Sequence, residues 1–67
     1  MNVISVNNLK VEIEEGFTIS NLLDMKKYPA NKIAVAVNGD FIARHEYANK
    51  QLFDGDKIDI LAPVQGG

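Results

Sequence analysis

The sequence predicts an α+β fold in which one main helix packs on one face of a four- to five-stranded mixed sheet. Three observations lead there. Leu9-Lys10-Val11-Glu12-Ile13-Glu14 alternates apolar and polar residues without a break, the period of a half-buried strand. Lys57-Ile58-Asp59-Ile60-Leu61 alternates in the same way near the other end of the chain. Between them, Ile19, Leu22, Leu23 and the stem of Lys26 fall at helical spacing on one face. A chain of 67 residues has room for one core, so a lone helix must cover a single sheet.

The elements follow in order. Val3-Ile4-Ser5-Val6 is β-branched and short, and Asn7-Asn8 tolerates the positive φ of a tight turn into the Leu9–Glu14 strand. This is an N-terminal hairpin whose buried face is expected to hold Ile4, Val6, Leu9, Val11 and Ile13. Glu15-Gly16 ends it. Thr18, or alternatively Ser20, caps the helix, and Pro29 disfavours helical geometry at Tyr28, so the helix should stop near Lys27. Ile33 to Val37 forms a third strand with Ile33, Val35 and Val37 facing the core, and Asn38-Gly39 turns the chain. Phe41 to Arg44 is a short extended piece, and His45 to Gln51 is irregular or briefly helical. Asp54-Gly55-Asp56 is a further turn, launching a last strand with Ile58 and Ile60 inward. The helix after the second strand predicts a crossover returning parallel to a neighbouring strand. The whole is a ubiquitin-like, β-grasp arrangement with the last strand central. Residues 1–63 are expected to form the domain and 64–67 a flexible C-terminal tail.

Composition removes several classes of function. With 46% hydrophobic and 24% charged residues the chain is that of an ordinary globular protein, not a disordered one. It has no cysteine, which excludes disulfides, thiolate metal sites and cysteine redox chemistry. The net charge is −2 and the basic residues are scattered, without the stripe that would neutralise nucleic-acid phosphates. No apolar run approaches the ~18 residues of a membrane span. The opening MNVISVNN lacks the basic flank and long apolar stretch of a signal peptide, so a cytoplasmic location is expected, with neither nucleic acid nor membrane as partner.

The folded body offers little chemistry. His45, the one histidine, stands beside Glu46 as a solvated side chain, since a catalytic base needs a positioned partner. Asp54, Asp56 and Asp59 are better explained by a turn than by a cation site, because a calcium loop needs a longer run of oxygen ligands. No phosphate loop, HExxH or GxSxG is present, and no metal ligands are assigned. The remaining reactive group is the C-terminal carboxylate. Two final glycines add nothing to a fold, yet an unbranched Gly66-Gly67 end can thread a narrow channel that any Cβ would obstruct. A carboxylate becomes an electrophile once adenylated, and a sulfur or nitrogen nucleophile can then displace AMP. A second feature lies on the sheet. Alternation that buries Val35, Val37, Ile58 and Ile60 turns Ala34, Ala36 and Leu61 to the opposite face, where a small apolar patch for docking a partner is expected.

VAVNGDFIAR followed by EY, then LFDGDKIDIL, then VQGG, resembles the sulfur-carrier family of thiamin biosynthesis, ThiS. The resemblance covers nearly the whole chain and is densest from Val35 to Gly67; Arg44 and Tyr47 resemble the family's Arg-x-x-aromatic stretch, although surface charge and core aromatic explain the pair equally well. It implies a carrier and not an enzyme. A ubiquitin-activating-like adenylyltransferase of the ThiF type would adenylate Gly67 with ATP and magnesium, and no cofactor would reside in the chain itself. Sulfur originating from cysteine, through a desulfurase, would convert the carboxylate to a thiocarboxylate for a thiazole synthase of the ThiG type. Gly66 carries over with Gly67 as the working end, and Gln65 and Val64 as its approach. Ala62-Pro63-Val64 leans instead towards the small subunit of molybdopterin synthase, a sister carrier. A ubiquitin-like modifier of lysines, or a plain interaction domain, is the other alternative.

Overall fold

In the computed structural model the described residues are 1–62. Five strands and one helix follow in the order β1 (Asn2–Val6), β2 (Leu9–Ile13), α1 (Ile19–Lys26), β3 (Ala34–Val37), β4 (Asp40–Ile42) and β5 (Lys57–Leu61). Short 3₁₀ turns at Ala30–Lys32 and Arg44–Glu46 interrupt the connections. The strands make one mixed sheet in the spatial order β2-β1-β5-β3-β4, so the last strand of the chain lies at its centre.

Both hairpins rest on positive-φ asparagine. Asn7 and Asn8 (φ 50° and 71°) join β1 to β2, and Asn38 and Gly39 (φ 53° and 90°) join β3 to β4. Positive φ at both central residues is the I′ signature whose twist matches the flanking strands. The register then pairs Val6 with Leu9 and Ile4 with Val11, and on the other side Val37 with Asp40 and Val35 with Ile42.

The helix begins at Thr18, which accepts a hydrogen bond from the Asn21 amide while the Asn21 side chain accepts from the Thr18 amide. This reciprocal box settles the cap in favour of Thr18 over Ser20. The other free amides of the first turn are met from the segment before β5: Ile19 donates to the Lys50 carbonyl and Ser20 to that of Tyr47. The C-terminus closes on Lys27 in the left-handed conformation (φ 61°), with its N–H donating to Asp24 and that of Tyr28 to Leu23. That pair of bonds is a Schellman cap, a stronger cause of termination than Pro29 alone. Lys26 is exposed and its stem does not join the buried face, which consists of Ile19, Leu22 and Leu23.

The core lies between α1 and one face of the sheet. Ile4, Val6, Ile13, Ile33, Val35, Val37, Ile58 and Ile60 come from or beside the strands, and Tyr47 and Leu52 from the irregular segment. Ile19, Leu22 and Ile58 are fully shielded from solvent, and no buried side-chain polar atom among the described residues lacks a partner.

Two expectations are corrected here. Leu9 is 66% exposed although register puts it on the core face, whereas Val11, half-buried, packs against the core as expected. Leu9 lies at the turn end of an edge strand, and an eight-residue helix spans only about 12 Å, too short to cover that end as well as the centre of the sheet. The parallel pairing also differs. The crossover through α1 carries the chain from β2 to β3, which are separated by β1 and β5; the parallel neighbours are β1 and β5. Placing the last strand at the centre inserts it between the strands that the helix connects.

Candidate functional site: the exit of the central strand

Strand β5 begins in a turn that anchors it to β1. Asp54 accepts from the Val3 amide (2.7 Å), Asp56 accepts from the Phe53 amide (2.8 Å), and Gly55 (φ 88°) donates to the Val3 carbonyl. The aspartates of this turn therefore act as acceptors for backbone and for Asn38, in keeping with the turn reading of Asp-Gly-Asp. Asp59 stands apart from them on β5, with Ala36 opposite.

Two asparagines hold the ends of this strand. At its entry, Asn38 accepts from the Lys57 amide (2.9 Å) and donates to the Asp56 carboxylate (3.0 Å). At its exit, the Asn7 side chain accepts from the Ile60 amide (2.8 Å) and donates to the Ile60 carbonyl (3.3 Å). From Ile60 the chain passes through Leu61 and Ala62 towards the expected working end. Val64, Gln65, Gly66 and Gly67 lie outside the described residues, as does the expected boundary between residues 63 and 64.

Beside this exit lies the sheet face opposite the helix. Cross-strand partners share a face, so the register sets Ala34 beside Leu61, and Ala36 between Asp59 and Phe41. Leu61 is 51% exposed and Ala34 half-buried. Ala36 is a correction: it is only 5% exposed. Its single methyl sits low on an inner strand between longer cross-strand neighbours, so it forms the floor and not the surface. The surface at that row is Phe41, 67% exposed, which the sequence reading missed. The signal was available: Ile42 packs against the core, so alternation turns Phe41 outward.

The other candidates separate by burial. Tyr47 is 4% exposed and belongs to the core, while Arg44 is exposed; the fold does not bring the two into one site. His45 is a surface side chain, 3.8 Å from Glu46. Among the described residues no helix is long and apolar enough to cross a membrane.

Comparison with known proteins agrees with this geometry. A crystal structure of a thiamine biosynthesis protein (ThiS) from Geobacter metallireducens superimposes with a TM-score of 0.82 at 25% identity, covering 97% of this chain and 99% of that one. The solution structure of a thiamine biosynthesis protein from the same organism gives a TM-score of 0.79 at 28% identity, over all of this chain and 88% of that one. No curated protein matches the chain. The ThiS family matches over residues 3–67, a span that takes in the hairpin, the central strand and the terminal Gly66-Gly67, and the chain belongs to the ThiS family.

Proposed function

We propose that the chain is a sulfur carrier of thiamin biosynthesis and that the Gly67 carboxylate is its reactive group. The observation behind this reading is the family match itself, which extends through the last residue. The fold supports it by placing the last strand of the chain at the centre of the sheet, with its final rungs held by Asn7.

The chemistry takes two steps. A carboxylate oxygen of Gly67 attacks the α-phosphorus of ATP, held with magnesium by an adenylyltransferase of the ThiF type, and pyrophosphate leaves. A sulfur nucleophile then attacks the acyl carbon of the adenylate and AMP leaves, so one carboxylate oxygen departs with AMP and sulfur takes its place. The sulfur comes ultimately from cysteine by way of a desulfurase persulfide, which a thiol reductant brings to the sulfide level as it is itself oxidised to a disulfide, and the thiocarboxylate passes to a thiazole synthase of the ThiG type. The chain supplies no catalytic group of its own in this scheme: it presents the acyl group, with Gly66, Gln65 and Val64 as the approach, while the partner supplies ATP, magnesium and base. A cytoplasmic setting belongs to the same reading.

Docking is assigned to the outer sheet face, with Leu61 and Phe41 as its raised apolar contacts over Ala34 and Ala36. Leu61 lies six residues before Gly67, so a partner seated on this face lies next to the segment that enters its active site.

The direct test is mass. Incubated with its adenylating enzyme, ATP, magnesium and sulfide, the chain should gain about 16 Da, the difference between sulfur and oxygen, on its C-terminal peptide. A chain that adds no mass under conditions where the enzyme is active on another carrier would rule out Gly67 as the acyl group.

A further inference from the structure

Strand β1 pairs with β5 only at Ser5–Lys57 and Val6–Ile58, and then leaves the sheet through the Asn7-Asn8 turn. Continuing that parallel register would bring Asn8 opposite Ile60, but the turn has already carried Asn8 away. The Ile60 N–H and C=O, which face the β1 side, would lose their ladder partners just where the chain heads for its terminus. The Asn7 side chain supplies both partners at once, across 53 residues of sequence, while the Asn7 backbone N–H still donates to Ile58. A side-chain amide has one acceptor and one donor group and so can imitate a missing strand residue. Asn7 therefore does two things: it adopts the positive φ of the turn, and it extends the ladder by one rung beyond the end of β1.

From this geometry we infer that Asn7 is a positioning residue for the C-terminal acyl group, acting through Ile60 to fix the direction in which the chain leaves the sheet after Leu61. The inference rests on the reading of Gly67 as the group that is activated. A reacting carboxylate must come within about 3–3.5 Å of its target, and small misplacements far from the chemistry lower the rate steeply. Loosening the last rung widens the range of directions open to the segment beyond it. The effect should fall on turnover and not on docking, because Leu61 and Phe41 keep their places on the sheet.

The experiment compares three variants with the native chain. Asn7→Gly keeps the positive-φ turn and removes both clamp bonds. Asn7→Asp keeps the acceptor for the Ile60 amide and removes the donor. Asn38→Gly removes the matching clamp at the entry of β5 and serves as the control for general loosening. Amide exchange of Ile60 is read by NMR, and kcat and KM for adenylation by pyrophosphate exchange, below the melting range of every variant. Asn7→Gly should speed Ile60 exchange roughly three- to tenfold, the weight of one net hydrogen bond, and lower kcat several-fold at unchanged KM. Asn7→Asp should fall between it and the native chain, and it carries the test alone if the glycine variant does not fold. Asn38→Gly should leave kcat unchanged. Equal turnover in native and Asn7 variants, or an equal loss in the Asn7 and Asn38 variants, overturns the positioning role while leaving Gly67 as the acyl group. A native chain that supports no pyrophosphate exchange overturns the reading of Gly67 and the inference with it.

Discussion

At the scale of single residues, the backbone of the described residues is most demanding at four non-glycine positions with positive φ, three of them asparagines in turns and the fourth Lys27. Asparagine suits this region because its short side chain can bond locally. At Asn7 and Asn38 that side chain also clamps β5, so glycine there would relieve strain and lose bonds. Lys27 makes no such side-chain contact with the backbone among the described residues. It holds the left-handed cap at a cost of about 1–2 kcal/mol for a residue with a Cβ, against about 0.5–1 kcal/mol for the extra freedom glycine loses on folding. Lys27→Gly should therefore stabilise the domain by about 0.5–1 kcal/mol, raising Tm by roughly 2–8 °C for a domain of this size. An unchanged or lower Tm in a thermal melt would mean that the cap is not under strain.

At the scale of elements, β5 joins the two halves of the sheet, pairing with β1 on one side and β3 on the other. Its inner face holds Ile58 and Ile60 in the core, and its outer face offers Leu61 beside Ala34. The two faces can be tested apart. Leu61→Asp and Phe41→Ser alter exposed side chains and should change stability by no more than about 1 kcal/mol. Each should weaken binding to the adenylating enzyme roughly tenfold or more, since a buried Leu or Phe contact is worth about 1.5–3 kcal/mol. Full affinity in both variants, measured by calorimetry, would remove this face from the docking account. The same strand shows what a sequence can and cannot convey. Alternation alone placed Ile58 and Ile60 inward and Leu61 outward, because period 2 is a local property of a strand. It could not place Leu9 or Ala36. Leu9 has the correct phase but sits beyond the reach of the helix, and Ala36 has the outward phase but lies between larger neighbours. Exposure at those positions depends on which strand is at the edge and what stands across from it, and both come from the assembled topology. The Asn7 clamp was hidden for the same reason: Asn7-Asn8 read locally as a turn, and nothing local points to Ile60.

At the scale of the molecule, the core of the described residues runs from Ile4 to Ile60. The acyl group proposed at Gly67 lies seven residues further along the chain, so reach can be tested apart from fold. Deleting Gly67 still leaves a carboxylate, now on Gly66, but shortens the reach by about 3.3–3.6 Å. That displacement is as large as the 3–3.5 Å approach the reacting atoms require, roughly, so transfer should nearly vanish. Adding one residue after Gly67 should fail for the converse reason, because the acyl group is carried past the same point and a Cβ enters the channel. Gln65→Ala should be tolerated better, since its side chain carries no reacting atom. All three variants should melt with the native protein, because the last residues of a chain contribute little packing to a fold. Thiolation is followed by intact mass and melting by circular dichroism on the same samples, so a loss of transfer is separated from a loss of fold. If the shortened or lengthened chain is thiolated as fast as the native one, the length of the terminus is not being measured by the partner, and Gly66-Gly67 cannot be the fitted working end proposed for it.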